Sequence, residues 1–243
     1  SGKALAMRIA MWSGPRNLST AMMYSFGARP DFAVVDEPFY AAYLVRTGLD
    51  HPMRAEVIAS QSTDPEEVAH SLTGPIPSGK PNYYQKHMTQ HMIDGIPTGW
   101  MKEVTNVFLI RHPARVAASF GAKYDNPTLE DIGFVQQTRL YEELLAQGQT
   151  PVVIDSSDIR RDPATMLERL CSAIGLAYDP AMLSWPAGGH PADGVWAAHW
   201  YGAVHASTGF APAEGDLPEL SGPLAQLVRA ALPHYERLAD EKL

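Results

Sequence analysis

The sequence predicts an α/β fold in which an open parallel sheet is flanked by helices. Three observations carry that expectation. Short apolar runs recur along the chain (MRIAMW, FAVV, NVFLIR, TPVVID), segments with helical spacing separate them, and Gly, Pro, Asn or Asp mark the junctions. Runs that are apolar throughout, not alternating, suit strands buried on both faces. Repeated strand and helix alternation suits parallel connections.

Taken in order, MRIAMW at residues 7–12 stops at Ser13-Gly14-Pro15 and reads as a buried strand. Residues 18–26 read as a helix from the spacing of Leu18, Met22 and either Ser25 or Phe26. Residues 32–35 are a second buried strand, and residues 38–44 open a helix with proline in its first turn. Residues 51–81 are polar and interrupted by Pro and Gly, with one helix at 65–72. NYYQKHM (82–88) alternates as a strand does, and NVFLIR (106–111) has the character of a central parallel strand. Helices follow at 113–123 and 129–147, then a strand at 150–155. Residues 163–174 form a helix with Met166, Leu167, Leu170 and Ile174 on one face and Gly175 in the C-terminal cap position. Residues 186–222, rich in Gly, Pro and Ala, read as a long ordered loop or lid, because Trp196, Trp200, Tyr201 and Phe210 need something to cover. A last helix spans 223–238.

The chain has 243 residues, 45% of them hydrophobic, which suits one domain over residues 7–243; residues 1–6 read as a cloning remnant ahead of a start at Met7. A lone cysteine, Cys171, has no internal disulfide partner, and no stretch reaches the roughly 20 apolar residues of a membrane span. The cytoplasm is the expected compartment. A net charge of -8 without a block of Lys and Arg argues against nucleic acid as partner, but leaves room for a small anionic ligand at a local positive site. No H-E-x-x-H and no second cysteine occur, so no metal is expected. Apolar faces for a partner and for the core look alike, so oligomeric state is left open.

Two stretches carry chemistry. SGPRNLSTAM (13–22) joins a strand to a helix through Gly14, Pro15, Arg16 and Asn17, with Ser19 and Thr20 in the first helical turn. Free backbone N–H groups, the positive end of the helix dipole, two hydroxyls and a guanidinium then face one point, an arrangement suited to phosphate. The plainer alternative is a turn with Asn17 as helix cap and Arg16 in solvent. The lysine of G-x-x-x-x-G-K-[ST] is missing, which disfavours a nucleotide triphosphatase. LIRHPARVAASF (109–120) sets Arg111 at a strand end, where ligands collect in open α/β sheets, and Ser119 on the helix beyond. Arg111 paired with an acid such as Asp155 is the alternative.

Together these stretches resemble the sulfotransferase family that uses 3′-phosphoadenosine 5′-phosphosulfate (PAPS). That family holds the 5′-phosphosulfate with a P-R-x-G-T-[ST]-like loop and the 3′-phosphate with an R-x-P…S strand and helix. Here the counterparts are Pro15-Arg16-Asn17-Leu18-Ser19-Thr20, with Leu18 where the family carries glycine, and Arg111-His112-Pro113 with Ser119. Residues 152–183 are similar to a scaffold segment of the family, and DEPFY and STGF resemble a bacterial sulfotransferase-like subgroup.

The resemblance implies a P-loop NTPase-like sulfotransferase fold and transfer of a sulfuryl group from PAPS to a hydroxyl or amine of a small-molecule acceptor. PAP is the product and no metal takes part. It implies Arg16 at the leaving-group oxygen, Ser19, Thr20 and the Gly14–Asn17 loop at the 5′-phosphate, Arg111 and Ser119 at the 3′-phosphate, and Lys86 at the transferring group; a surface role for Lys86 is the alternative. The base is Glu37 in preference to His87 or His91, while Asp36 or Glu37 can instead cap the helix opened by Pro38. Phe210 or Trp200 is the expected adenine partner unless those rings only pack the lid. A PAP-binding protein without turnover and a small-molecule kinase are the competing functions, the latter needing magnesium and a loop lysine.

Overall fold

The computed structural model describes residues 5–243, so most of the expected remnant at residues 1–6 lies outside it. In chain order the main elements are β1 (Arg8–Ser13), α1 (Ser19–Gly27), β2 (Phe32–Asp36), α2 (Tyr40–Thr47), α3 (Arg54–Ser60), α4 (Pro65–Thr73), β3 (Asn82–Met88), β4 (Thr105–Ile110) and α5 (Pro113–Gly121). They continue with α6 (Phe134–Ala146), β5 (Val152–Asp155), α7 (Ser156–Arg161), α8 (Pro163–Ile174), the short α9 (Ala197–Trp200) and α10 (Gly202–His205), and α11 (Gly222–Ala239). The five strands form one parallel sheet in the order β2-β3-β1-β4-β5, the expected α/β architecture.

Strand period two explains how β1 is buried on both sides. Ile9 and Met11 join Met22, Met23, Phe26, Leu167 and Leu170 in one core. Ala10 and Trp12 join Trp100, Phe108, Leu140 and Leu144 in the other. The chain leaves β1 toward β2 on one side and later crosses to β4 on the other, so the order reverses beside β1, where an open sheet forms its crevice. The loop at residues 13–18 stands at that point.

Helix α8 follows local rules closely. The Asp162 side chain accepts from the Thr165 N–H, Pro163 occupies the first turn, and Gly175 closes the helix at φ 77°. Elsewhere the boundaries move. The helix expected from residue 129 begins at Phe134, because Gly133 turns the chain at φ 71° and a Cβ there would stand 2.3 Å from Thr89 Oγ1. The helix expected from Pro38 begins at Tyr40, because Glu37 takes φ 44°. Helices α3 and α7, of seven and six residues, were not anticipated. Among the described residues no helix is long and apolar enough to cross a membrane, and no three His, Cys, Asp or Glu side chains converge as a metal group.

Candidate active site

A cavity of about 400 Å³ opens at the carboxyl ends of β1 to β4. Its floor is the loop after β1. Gly14 is required there, since a Cβ would come within 2.6 Å of the Ile132 carbonyl oxygen. Arg16 takes φ 54°, a left-handed conformation that a non-glycine residue adopts at a cost. Leu18, by contrast, sits at φ -80° and packs against the first core, so this position places no demand for glycine. Asn17 is not the helix cap. Its Nδ2 donates to the Leu109 carbonyl at 2.9 Å and its Oδ1 accepts from the Leu18 N–H at 2.7 Å, which ties the loop to β4. Helix α1 therefore starts without a side-chain cap, and Ser19, Thr20 and Ala21 of its first turn line the cavity, where helical N–H groups lack intrahelical partners.

The two arginine stretches meet. Arg16 Nε donates to Ser119 Oγ at 2.9 Å, and an Arg111 guanidinium N–H donates to the Arg16 carbonyl. Arg111 does not pair with Asp155, whose carboxylate accepts from the Tyr235 hydroxyl and the Ser157 N–H. Its acid is Glu214, 2.7 Å away on the segment before α11.

Beside α1 lies an enclosed charged cluster. Lys86 Nζ is 2.9 Å from Glu37 Oε2, 3.1 Å from Asp36 Oδ1 and 2.9 Å from Thr20 Oγ1, and it also donates to the Tyr201 hydroxyl. The Tyr201 hydroxyl lies 2.8 Å from Asp36 Oδ2 and accepts from Trp196 Nε1 at 2.9 Å. Lys86 is 1% exposed, so it is no surface residue. Burial alone would lower its ammonium, but Asp36 and Glu37 outweigh burial and hold it above the ordinary value. Burial pushes the Asp36 carboxyl up, against the pull of Lys86. Asp36 caps no helix; its Oδ2 accepts from the Gly194 N–H at 3.0 Å, clamping the lid segment.

Glu37 faces the cavity, with Oε1 at 3.9 Å from His91 Nε2. His87 does not join them. Adjacent strand residues point to opposite faces, so Lys86 faces the cavity while His87 stacks on Trp12 at 4.6 Å and pairs with Gln85 Oε1 at 3.0 Å. That geometry removes His87 from the candidate bases. Burial pushes its imidazole down to about 3, with His91 adding to the shift, whereas an unfolded histidine titrates near 6.5. The unfolded chain thus takes up a proton that the fold refuses, and stability present above pH 6.5 is lost as pH falls toward 3. Thermal unfolding midpoints should fall less steeply between pH 6.5 and 4 for His87→Phe, which keeps the ring stack, than for the parent; equal slopes would remove His87 as a source.

The aromatic segment divides. Trp200 lines the cavity nearly parallel to Phe120 at 6.4 Å, and its carbonyl accepts from Arg16 at 3.4 Å. Phe210 instead packs edge-on against Trp185 at 5.2 Å beside the first core, and its neighbours Gly209 and Ala211 line the cavity. Sequence reasoning missed Asp36, Tyr201, Arg160 and Glu214 as parts of the site. No local pattern marks Tyr201 or Glu214, which arrive from the far end of the chain.

The profile of the sulfotransferase domain family matches residues 7–241. Among curated proteins, the chain is similar to the branched-chain-amino-acid aminotransferase-like proteins 1 and 2 of Arabidopsis thaliana, at 37% identity over 246 residues and 35% over 247. Each alignment covers 97% of this chain and 44% of the relative, so the chain spans less than half the length of these relatives. Among solved structures it is similar in fold to the sulfotransferase domain from the curacin biosynthetic pathway, with a TM-score of 0.53, 13% identity, and coverage of 94% of this chain and 98% of that one.

Proposed function

The chain belongs to the sulfotransferase family, and on that premise we propose that it moves a sulfuryl group from PAPS to a hydroxyl or amine of a small-molecule acceptor. The observation that carries the proposal is the joining of the Arg16 loop to the Arg111–Ser119 element at the rim of one cavity, with Lys86 beside them. The residues fit such a donor: Arg111, Arg115 and Arg160 surround one carboxylate oxygen of Glu214, so this group of guanidiniums already holds an anion. PAPS, when bound, supplies an activated sulfuryl group, and in-line transfer of such a group calls for positioning and charge stabilisation above all.

Arg16, the hydroxyls of Ser19 and Thr20, and the first-turn N–H groups of α1 bind and orient the 5′ end, and Arg111 and Ser119 bind the 3′-phosphate. Trp200, which lines the cavity wall nearly parallel to Phe120, is the ring we assign to adenine. Lys86 supplies positive charge from below, held in place by Asp36 and Tyr201. Glu37 takes the proton of the acceptor at the oxygen not bound by Lys86. Tyr201 and the lid segment keep water from the cluster.

Titration calorimetry with PAP, and separately with ATP and magnesium, tests the donor. PAP is expected to bind, and Arg111→Ala to weaken it about 10- to 100-fold, the worth of a hydrogen bond between charged groups of about 1.5–3 kcal/mol. Unchanged affinity would remove the 3′-phosphate assignment, and ATP-dependent turnover would favour a kinase. Transfer from labelled PAPS to an acceptor panel separates an enzyme from a binding protein without turnover.

A further inference from the structure

Residues 211–217 form a strap beside the cavity, which is lined by Ala211 at the start of the strap and by Arg111 and Arg160, two of the arginines that hold it. Every residue in it is exposed except Glu214, which turns inward with only 9% of its side chain exposed. What holds the strap is three arginines. Arg111 meets Glu214 Oε2 at 2.7 Å, and Arg115 and Arg160 approach the same oxygen at 3.5 Å each. Arg160 Nε also donates to the Pro212 carbonyl at 2.9 Å, and Arg115 donates to the Gly215 carbonyl. Leu217 is 47% exposed, so apolar burial contributes little to this attachment.

Two features set this carboxylate apart from an ordinary structural partner. Three guanidiniums face one carboxylate, leaving a surplus of two positive charges in the cluster. The second oxygen, Oε1, is buried with no hydrogen-bond partner, so the carboxylate uses the site incompletely. A phosphate monoester, with up to two negative charges and three acceptor oxygens, would match both the charge and the donors that Glu214 leaves over.

We propose that Glu214 is a specificity-determining residue, an internal occupant of the three-arginine site that the 3′-phosphate of a nucleotide displaces and a 5′-phosphate, held at the Arg16 loop, does not. This rests on the PAPS reading above and adds to it Glu214 as a competitor and Arg115 and Arg160 as ligand partners. A nucleotide lacking the 3′-phosphate leaves Glu214 in place and gains nothing from the three arginines. One bearing it exchanges the carboxylate for itself and lifts the strap. A site occupied by its own chain binds with an affinity reduced by the fraction of time it is open.

The test compares PAP with adenosine 5′-monophosphate by titration calorimetry on the parent protein and on Glu214→Gln. Expected is PAP affinity rising roughly 10-fold in the variant, from relief of self-occupancy, with adenosine 5′-monophosphate changing by less than about 2-fold. A second measurement needs no variant: carbodiimide-driven labelling of carboxyl groups with glycine ethyl ester, read by peptide mass spectrometry. Labelling of Glu214 in the parent should rise on adding PAP and stay level with adenosine 5′-monophosphate. Equal or weaker PAP binding by a folded Glu214→Gln protein, or labelling that stays level or falls with PAP, overturns the inference while PAP binding by the parent upholds the donor assignment. If the parent binds no PAP, both fall together.

Discussion

Glu37→Gln is expected to lower turnover by roughly 10²- to 10⁴-fold, the usual range for removing a general base, while PAP affinity stays within a factor of a few. Glutamine keeps the shape of the side chain, and its amide oxygen can still accept from Lys86 Nζ, which lies 2.9 Å from Glu37 Oε2. What it cannot do is take the acceptor proton. The placement supports the proposed role, since Glu37 is held at φ 44° between β2 and α2, lines the cavity and sends Oε1 toward His91. His91 is the competitor. Burial holds its imidazole well below the ordinary range, assisted by His51 and Lys86, so it is neutral and a weak base at pH 7. Initial rates with saturating donor for Glu37→Gln and His91→Asn decide between them: a large loss only in the latter would move the base to His91.

Lys86→Met is expected to cost about 3–5 kcal/mol of stability, because it leaves Asp36 and Glu37 enclosed without their cation. Asp36 is 3% exposed and Glu37 is 7% exposed, so water does little to screen the loss. The thermal midpoint should drop by on the order of 10 °C for a chain of this size. Adding Asp36→Asn to Lys86→Met should recover part of the drop, since one buried charge disappears with its partner. A midpoint within about 2 °C of the parent would mean that solvent enters the cluster and the enclosure is not maintained.

How much of this was legible in the sequence depends on how far apart the interacting residues lie. The sheet was legible because buried strands announce themselves as continuous apolar runs, and α8 because cap, proline and glycine stand at its ends. The Arg16 and Arg111 stretches were legible as local patterns. Lys86 was legible too, but His87 was misplaced as a candidate base, although period two already sends strand neighbours to opposite faces. Asp36 was taken for a possible cap because its true partners, Gly194 and Tyr201, lie 158 and 165 residues away. Glu214 is 103 residues from Arg111, beyond the reach of spacing arguments. Helices α3 and α7 are too short for periodicity to register.

The segment at residues 201–214, between α9 and α11, has opposite mechanical characters at its two ends. At Tyr201, 5% exposed, it is bolted into the sheet through a buried hydroxyl shared with Asp36 and Lys86. At Glu214 it is clipped to the surface by arginines alone. Unfastening the first end breaks a buried network, while unfastening the second costs only ion pairs and hydrogen bonds at the surface. On the proposed reading, release of the spent donor then loosens the strap at Glu214 without loosening the wall at Tyr201 against which an acceptor would be aligned.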